Sequence, residues 1–361
     1  MGNFRILKKY VFIFIRKIGR GVYKKRIWLI SDREMSAGDN GEAFFKYLQD
    51  KKVDSVFAIS KKSADYERLN KIGKVVDYGS LTHKFLSCIS ECHCSSQLLH
   101  MENHCETKQI FLQHGVAAHD LSKMLKKVAH KNFYVITSGK QEYEYMLKSN
   151  RQIDASHIWL TGLPRFDLLE SRSKKMIGIA FTMRHKLLGQ APQKVMDTEY
   201  FKAIGHLFEN QEIRSFLASN GYELRIKMHP EMEYFEEYLP AVVKENIYRG
   251  TYQSFVEESM LLVTDYSSIA FDFAYLGKAV IYYQFDDTYY DNPYTSKGKY
   301  DYENGLGPLT IDYDEFLDAL KKMVLSQCQL EEKYRQRAKE YFAYMDRSNC
   351  QRVYERVKSV I

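Results

Sequence analysis

The chain has 361 residues, of which 45% are hydrophobic, 14% aromatic and 27% charged. This composition excludes a disordered or fibrous protein, and the length predicts about two domains. The formal net charge of +7 favours anionic partners, such as nucleic acid, a phosphorylated substrate or an acidic membrane surface.

The first 26 residues combine basic charges with apolar residues spaced three and four apart, including Phe4, Leu7, Val11 and Phe14. The pattern predicts a basic amphipathic helix, which either packs on a domain or lies on an anionic membrane, and we expect the membrane contact. The apolar runs are shorter than the roughly 18 residues of a membrane span, and the flanks do not resemble a signal cleavage site. We therefore expect a cytoplasmic protein, peripheral on the inner face of the cell membrane.

From residue 26 onward, short β-rich runs alternate with helical stretches, as in a parallel sheet covered by helices. The predicted strands are Arg26–Ile30, Val56–Ile59, Cys88–Ser95, Ile110–Leu112, Phe133–Thr137, Ile158–Thr161, Met176–Thr182, Glu223–Met228, Met260–Thr264 and Ala279–Tyr283. Helices are predicted near Tyr200–Leu217, Ser267–Leu276 and Tyr313–Leu325. We interpret residues 285–306 as a loop at a ligand-binding cleft.

A polar stretch at residues 170–175 interrupts this alternation, which then starts again. The sequence therefore predicts an α/β protein with two Rossmann-like domains facing across a cleft. We place the N-terminal segment at residues 1–26, the first domain at 27–170 and the second at 171–361. Whether the last helix belongs to the second domain or packs back on the first domain stays open.

Four of the six cysteines lie close to three histidines, so a zinc site has to be considered. These residues are Cys88, Cys92, His93, Cys94, His100, His104 and Cys105. The Cys-His-Cys step is not a Cys-x-x-Cys knuckle, and the segment alternates like a strand. We assign no metal and no cofactor.

Two predicted strands end in a histidine, at the edge of the sheet where open α/β folds bind ligands. His114 follows Ile110–Leu112 in the step Gln113-His114-Gly115, and a histidine at this position can act as a general base. His229 ends the second strand, where Lys227 and His229 share one face. Each histidine could instead bond to a neighbouring loop or lie solvated at a strand end.

A third site follows the buried run 261–264, where a turn leads into a helix opened by Ser267 and Ser268. Hydroxyl groups and free N–H groups at a helix N-terminus can bind phosphate. The alternative is that Asp265 and Ser267 only cap the helix.

Taken in order, several motifs resemble the CDP-glycerol glycerophosphotransferase family of teichoic acid and capsule assembly. They are the Gln-His-Gly step, Thr161-Gly162-Leu163-Pro164-Arg165-Phe166-Asp167, Lys227-Met228-His229-Pro230 and Val263-Thr264-Asp265-Tyr266-Ser267-Ser268. Trp28-Leu29-Ile30-Ser31-Asp32-Arg33 and Ala37-Gly38-Asp39-Asn40-Gly41-Glu42 resemble the opening of that family. The resemblance implies a GT-B fold with the nucleotide held mainly by the C-terminal domain.

The resemblance also implies roles for individual residues. His114 matches the proposed base, and His229 matches a position that faces the donor diphosphate, as do Asp265, Ser267 and Ser268. Arg184 matches an arginine of a Pro-Thr-Trp-Arg motif, of which Phe181-Thr182-Met183-Arg184 keeps two residues. We add Lys227 to the donor contacts, and Gln113, Gly115 and Arg165 to the candidate contacts of the cleft.

The expected activity is transfer of glycerol phosphate, or ribitol phosphate, from a CDP-polyol to a hydroxyl of a lipid-linked glycan, with release of CMP. Polymerising members carry a longer N-terminal region, so single addition and polymerisation both stay open. The alternatives are a GT-B glycosyltransferase that uses a CMP- or UDP-sugar and, from another class, a basic nucleic-acid-binding protein. The second lacks a nucleic-acid motif and a basic groove with interleaved aromatic residues, so we expect no nucleic acid partner.

Overall fold

The computed structural model describes residues 13–23, 26–99, 106–291, 298 and 300–361. The chain divides into two compact units. Unit 1 consists of the described residues of Met1–Ala117, Ser122–Leu168 and Phe342–Ile361, and unit 2 consists of those of Ala118–Leu121 and Leu169–Tyr341. This division differs from the predicted boundaries at residues 118–121, 169–170 and 342–361, and unit 1 also includes the described part of the segment 1–26.

Unit 1 contains a seven-stranded parallel sheet with the order β3-β2-β1-β4-β5-β6-β7. Its strands are β1 (Trp28–Ser31), β2 (Ser55–Ile59), β3 (Lys74–Asp77), β4 (Cys92–Ser95), β5 (Lys108–Phe111), β6 (Phe133–Thr137) and β7 (Ile158–Leu160). Its helices are α1 (residues 13–22), α2 (Asn40–Asp50), α3 (Tyr66–Asn70), α4 (Leu81–Ile89), α5 (Ser122–Val128), α6 (Lys140–Ser149) and α15 (Asn349–Lys358).

Four strands of unit 1, β1, β2, β4 and β6, are buried along their whole length. Full burial is expected for a parallel sheet that helices cover on both faces. Helix α2 is one of the covering helices, and it buries Phe44, Phe45 and Leu48. Ser80 begins α4 by accepting a hydrogen bond from the main-chain nitrogen of His83 at 3.1 Å.

Unit 2 contains a five-stranded parallel sheet with the order β12-β11-β10-β8-β9. Its strands are β8 (Met176–Ile179), β9 (Glu223–Ile226), β10 (Leu261–Thr264), β11 (Ala279–Tyr283) and β12 (Leu309–Thr310). Its helices are α7 (Pro192–Met196), α8 (Glu199–Glu209), α9 (Gln211–Ser219), α10 (Ala241–Glu245), α11 (Tyr252–Glu258), α12 (Ile269–Tyr275), α13 (Tyr313–Leu325) and α14 (Glu332–Tyr341). A buried core of strand residues such as Ile177 and Val263 includes Ile204 of α8 and Leu320 of α13.

The alternation predicted from the sequence is present in both units, but three assignments were wrong. Cys88 and Ile89 end helix α4 instead of beginning a strand, and Arg16 Nη1 binds the carbonyl of Cys88 at 2.7 Å. The single helix predicted at 200–217 is two helices, because the side chain of Asn210 caps the second at the main-chain nitrogen of Ile213. Strands β3 and β12 were missed, since β3 buries only one of its four residues and β12 consists of two residues.

The C-terminal helix α15 joins unit 1 through a cap from a distant residue. Asp167 Oδ1 accepts from the main-chain nitrogen of Asn349 at 3.0 Å, and Asp167 Oδ2 accepts from that of Cys350 at 2.7 Å. The carboxylate therefore satisfies N–H groups that a helix N-terminus leaves without partners.

Parts of the predicted N-terminal helix and of the cysteine and histidine cluster lie outside the described residues, including Phe4, Leu7, His100, His104 and Cys105. In the part of the chain that the structure describes, no helix is both long and apolar enough to cross a membrane. Among the same residues, no group of three His, Cys, Asp or Glu side chains is arranged to hold a metal ion.

Candidate active site

Each sheet has a point at which the chain reverses the direction in which it adds strands. In unit 1 this point lies between β1 and β4, and in unit 2 between β8 and β10. Ligands of open α/β sheets bind outside the carboxyl ends of the strands at such points. The predicted site residues follow strands at these two edges, His114 in unit 1 and His229, Ser267 and Ser268 in unit 2.

His114 lies at the carboxyl edge of unit 1, three residues beyond the end of β5, and is exposed. Arg165 Nη1 donates to the main-chain oxygen of His114 at 2.7 Å and to Asp39 Oδ1 at 2.8 Å. Desolvation by the surrounding protein lowers the pKa of His114, and Arg33 and Arg165 add to this shift. The carboxylate of Asp39 opposes it. A lowered pKa keeps the imidazole neutral near pH 7, which is the state of a general base.

Asp32, which directly follows β1, organises the start of helix α2. Its carboxylate accepts from the main-chain nitrogens of Gly41 at 2.8 Å, Glu42 at 3.0 Å and Asp39 at 3.1 Å. Burial, with a smaller contribution from Asp39, raises the pKa of Asp32 to about 7. A side chain at position 41 would collide with the main-chain oxygen of Ser31, so only glycine fits there.

The three candidate contacts beside His114 differ in where the structure places them. Gln113 is 1% exposed and donates from Nε2 to the carbonyl of Ile136 at 2.5 Å, so it points into the protein. Gln113 has a left-handed backbone conformation, with φ 56°, whereas Gly115 does not. Arg165 is bound to Asp39 and to the carbonyl of His114, which gives it a supporting position.

His229 and Lys227 follow β9 at the carboxyl edge of unit 2. His229 Nδ1 accepts from the main-chain nitrogen of Glu231 at 3.2 Å, and the neutral ring therefore carries its proton on Nε2, as a donor. Lys227 Nζ donates to the carbonyl of Gly250 at 2.8 Å. Desolvation lowers the pKa of Lys227. Both side chains are half-buried.

The turn after β10 presents its two serines differently from a simple helix cap. Ser268 makes no side-chain cap to α12, and Ser267 Oγ lies 3.4 Å from the main-chain nitrogen of Ile269. Both serines are half-buried. Asp265 is fully buried and accepts from the main-chain nitrogens of Thr182 at 2.8 Å and Tyr266 at 2.6 Å. The hydroxyls, and not the carboxylate, are the groups placed to meet a ligand.

Arg184 and Asp265 were predicted to contact the donor, but the structure buries both of them against each other. Arg184 is 1% exposed, and its Nη1 donates to Asp265 Oδ2 at 2.8 Å. Its Nη2 donates to Asp286 Oδ1 at 2.6 Å. The rings of Tyr200 and Tyr266 lie 5.1 and 5.7 Å from the guanidinium carbon. With two carboxylates and aromatic faces around it, Arg184 is positioned to hold the turns after β8, β10 and β11 together.

Several residues of these edges were not singled out from the sequence. Asp286 was missed because nothing in a loop sequence marks the partner of a distant arginine. The roles of Asp32, Asp39 and Asn40 were also missed, although their motif had been noted. Acidic and amide residues that directly follow a buried strand and precede a helix are typical of helix caps, and this pattern could have indicated the three residues.

Each edge thus offers a separate chemical capability. The edge of unit 1 holds the exposed imidazole of His114, on a segment whose main-chain oxygen is bound by Arg165. The edge of unit 2 holds an imidazole N–H donor, a lysine and two hydroxyls above a buried ion-pair network. The first can accept a proton, and the second can bind an anion such as a diphosphate.

Comparison with known proteins places these features in a family. A family model described as CDP-Glycerol:Poly(glycerophosphate) glycerophosphotransferase matches residues 11–359. The minor teichoic acid biosynthesis protein GgaB of Bacillus subtilis (strain 168) is 32% identical over 363 residues, which cover 92% of this chain and 40% of GgaB. The teichoic acid glycerol-phosphate primase of the same organism is 24% identical over 171 residues, covering 45% of this chain and 42% of the primase. The chain therefore spans less than half the length of the curated relatives that it matches.

Solved structures support the fold. The wall teichoic acid polymerase TagF has a TM-score of 0.67 at 16% identity, covering 99% of this chain and 97% of that chain. The UDP-GlcNAc 2-epimerase of Neisseria meningitidis has a TM-score of 0.54 at 11% identity, covering 92% and 100%. These similarities confirm the predicted GT-B-like α/β class with two Rossmann-like domains. The family match over nearly the whole length confirms the resemblance seen in the motifs, and the chain belongs to the CDP-Glycerol:Poly(glycerophosphate) glycerophosphotransferase family.

Proposed function

We propose that this chain transfers glycerol phosphate from CDP-glycerol to an acceptor hydroxyl and releases CMP, in the assembly of teichoic acid or capsular polysaccharide. The observation that carries the proposal is the exposed imidazole of His114 at the carboxyl edge of a Rossmann-like sheet, in a chain of this family. CDP-ribitol is the alternative donor, and a lipid-linked glycan is the proposed acceptor.

The chemistry begins at the acceptor hydroxyl. Its oxygen attacks the phosphorus that carries the glycerol ester, and His114 takes the proton that the hydroxyl gives up. The bond from this phosphorus to the bridging oxygen breaks, and CMP leaves with the electron pair. Negative charge therefore accumulates on the phosphate of CMP, and catalysis depends on positioning and on the stabilisation of that charge.

We assign the donor to the edge of unit 2. His229 can donate from Nε2 because its Nδ1 is occupied by the main-chain nitrogen of Glu231. Ser267 and Ser268 offer hydroxyl donors, and Lys227 adds a positive charge. Arg184 and Asp265 act indirectly in this proposal, by fixing the turn that carries the serines.

Peripheral binding to an anionic membrane is part of the proposal, and the orientation of helix α1 supports it. The helix turns Arg16 inward, where Nη1 donates to Thr107 Oγ1 at 2.7 Å. It turns Phe14, Ile18 and Val22 outward, with exposed fractions of 65%, 50% and 78%. Apolar side chains four residues apart on the outer face, with basic residues in the same segment, suit insertion between lipid headgroups.

A donor screen tests the proposed function. The purified chain is incubated with CDP-glycerol, CDP-ribitol, a CMP-sugar and a UDP-sugar, each with a bacterial membrane extract as acceptor, and the released nucleotide is measured. Release of CMP from CDP-glycerol that His114→Ala abolishes supports the proposal. Turnover of a sugar nucleotide in place of the CDP-polyols would favour a glycosyltransferase instead.

A further inference from the structure

The segment that carries His114 is tied at both ends to one buried carboxylate. Glu142 is 4% exposed, and its Oε1 accepts from Gln113 Nε2 at 2.9 Å and from the main-chain nitrogen of Ala117 at 2.9 Å. Gln113 precedes His114, and Ala117 follows it by three residues. One oxygen atom therefore closes the short loop on which the imidazole is mounted.

The carboxylate of Glu142 is itself immobilised at the start of helix α6. Its Oε2 accepts from the main-chain nitrogens of Ser138 at 2.6 Å and Gly139 at 3.3 Å, and from Ser138 Oγ at 3.0 Å. Three hydrogen bonds at the start of one helix therefore fix the position of this oxygen. The anchor of the loop is thus fixed to a regular element.

A second anchor, Asn40, holds the chain just before His114. Asn40 is fully buried, and its Nδ2 donates to the carbonyls of Leu112 at 3.1 Å and Gln113 at 2.8 Å. Its Oδ1 accepts from the main-chain nitrogen of Arg165 at 3.0 Å. Both polar atoms of the Asn40 amide are therefore in use.

The backbone of this loop adopts a conformation that needs such support. Gln113 has φ 56°, in the left-handed region that a residue with a side chain rarely adopts. The Gln113 carbonyl is held by Asn40 and its side chain by Glu142, so the unfavourable conformation is retained by bonds on both sides. It turns the chain sharply between β5 and His114.

We propose that Asn40 and Glu142 are positioning residues, which fix the orientation of the His114 imidazole without contacting substrate. The proposal rests on the proposed function, because it assigns these residues to the proton transfer at His114. It accounts for an inward-pointing glutamine and a buried asparagine next to an exposed histidine. Misplacement of a reacting group by about 1 Å can lower the rate about 100-fold, so a loosened loop should be visible in turnover.

Two nearly isosteric variants test the proposal. Asn40→Asp replaces the amide donor by oxygen and so loses both bonds to the carbonyls of Leu112 and Gln113. Glu142→Gln replaces one carboxylate oxygen by an amide nitrogen. That nitrogen cannot accept the hydrogen bonds that the oxygen accepted. We expect each variant to lower kcat by about 10- to 100-fold and to leave the dissociation constant of CDP-glycerol within about twofold.

Gln109 provides the matched control at the opposite end of strand β5. It is 2% exposed, and its Nε2 donates to the carbonyl of Leu99 at 2.6 Å. Gln109→Met removes this bond and the contact of Gln109 Oε1 with His130 Nε2 at 3.1 Å but leaves the His114 loop intact, so it should lower stability and not kcat. Equal losses of kcat in Gln109→Met and Asn40→Asp would overturn the proposal.

A double-mutant cycle shows whether the anchors act through His114. In a His114→Ala background, Asn40→Asp should cause no further loss of turnover, because the group that it positions is absent. If the fold-losses of turnover from His114→Ala and Asn40→Asp multiply in the double variant, the proposal is overturned. Hydrogen exchange of residues 113–117 gives a readout without activity, and it should speed up in both anchor variants and not in Gln109→Met. If the unaltered chain releases no CMP, the proposed function fails, whereas unchanged exchange in the variants would overturn the anchoring itself.

Discussion

Arg184 and Asp265 form a buried ion pair, with Nη1 and Oδ2 2.8 Å apart and side chains 2% and 0% exposed. The two residues lie 81 positions apart in the sequence and follow strands β8 and β10, which pair directly in the sheet of unit 2. The ion pair therefore joins the turn after β8 to the turn after β10, at the point where the sheet reverses its strand order. Ser267 and Ser268 lie in the turn that this contact holds.

Removing the cation should leave two carboxylates buried without their counter-ion. We expect Arg184→Met to lower the free energy of unfolding by about 3–5 kcal/mol, as measured by urea denaturation at neutral pH. Lys186→Met is the control, because Lys186 pairs with Asp291 at 2.6 Å but both side chains are exposed. That variant should lose no more than about 1 kcal/mol. Similar losses in the two variants would contradict a structural role for Arg184.

The two serines after Asp265 should affect donor binding more than stability. Ser268 does not cap α12 and Ser267 approaches it only at 3.4 Å, so replacing both by alanine should change unfolding by less than about 0.5 kcal/mol. Loss of hydroxyl bonds to a charged phosphate should weaken CDP-glycerol binding by about tenfold or more, as measured by titration calorimetry. The exposed Ser171 and Ser173, changed to alanine together, are the control. Unchanged donor affinity with reduced stability would favour the capping role.

Replacing His114 and replacing His229 should impair different steps of the reaction. His114→Ala should lower kcat by about 10²- to 10⁴-fold and leave donor binding nearly unchanged, because a general base acts in the transition state. His229→Ala should mainly weaken donor binding, and His229→Gln should restore part of it through an amide donor. His206→Ala, on the exposed face of α8, is the control. If His114→Ala instead weakens binding and His229→Ala slows turnover, the two roles are exchanged.

The pKa of His114 also sets a pH dependence. Its value lies below the ordinary 6.5, so the imidazole is neutral at pH 7 and becomes protonated only as the pH falls further. A protonated base cannot accept a proton, and kcat should therefore hold near pH 7 and decline in the acid range below about pH 6.5. The measurement is kcat at saturating donor between about pH 5 and pH 8, with unfolding followed over the same range. A decline centred above pH 7 would contradict this role.

The outer face of helix α1 should control membrane binding. Replacing Phe14, Ile18 and Val22 by serine removes side chains whose full burial is worth about 1.5–3 kcal/mol each. We expect the variant to lose most of its sedimentation with phosphatidylglycerol vesicles, and binding of the unaltered chain to weaken at high salt. Ile311 and Leu325, which are exposed by 65% and 69% on unit 2, are changed to serine as the control. Equal sedimentation of all three proteins would refute the membrane contact.

The sequence was sufficient for features that depend on local pattern. Buried runs such as Phe133–Thr137 and Ala279–Tyr283 coincide with β6 and β11, and both histidines follow strands. Partners distant in the chain could not be predicted. Arg184 was interpreted as a ligand contact from its resemblance to a family motif, and the sequence does not show that its partner Asp286 lies 102 residues away. The anchoring of Gln113 by Glu142 spans 29 residues and depends on how β5 and α6 pack, which composition does not encode.

The most direct test of the central claim is the stoichiometry of a single reaction. CDP-glycerol labelled in the glycerol moiety is incubated with the chain and a membrane acceptor, and both released CMP and label in the acceptor are measured. A glycerophosphotransferase produces the two in equal amounts, neither forms without acceptor, and His114→Ala suppresses both together. Release of CMP that does not depend on the acceptor, or transfer of label without CMP, would contradict the account.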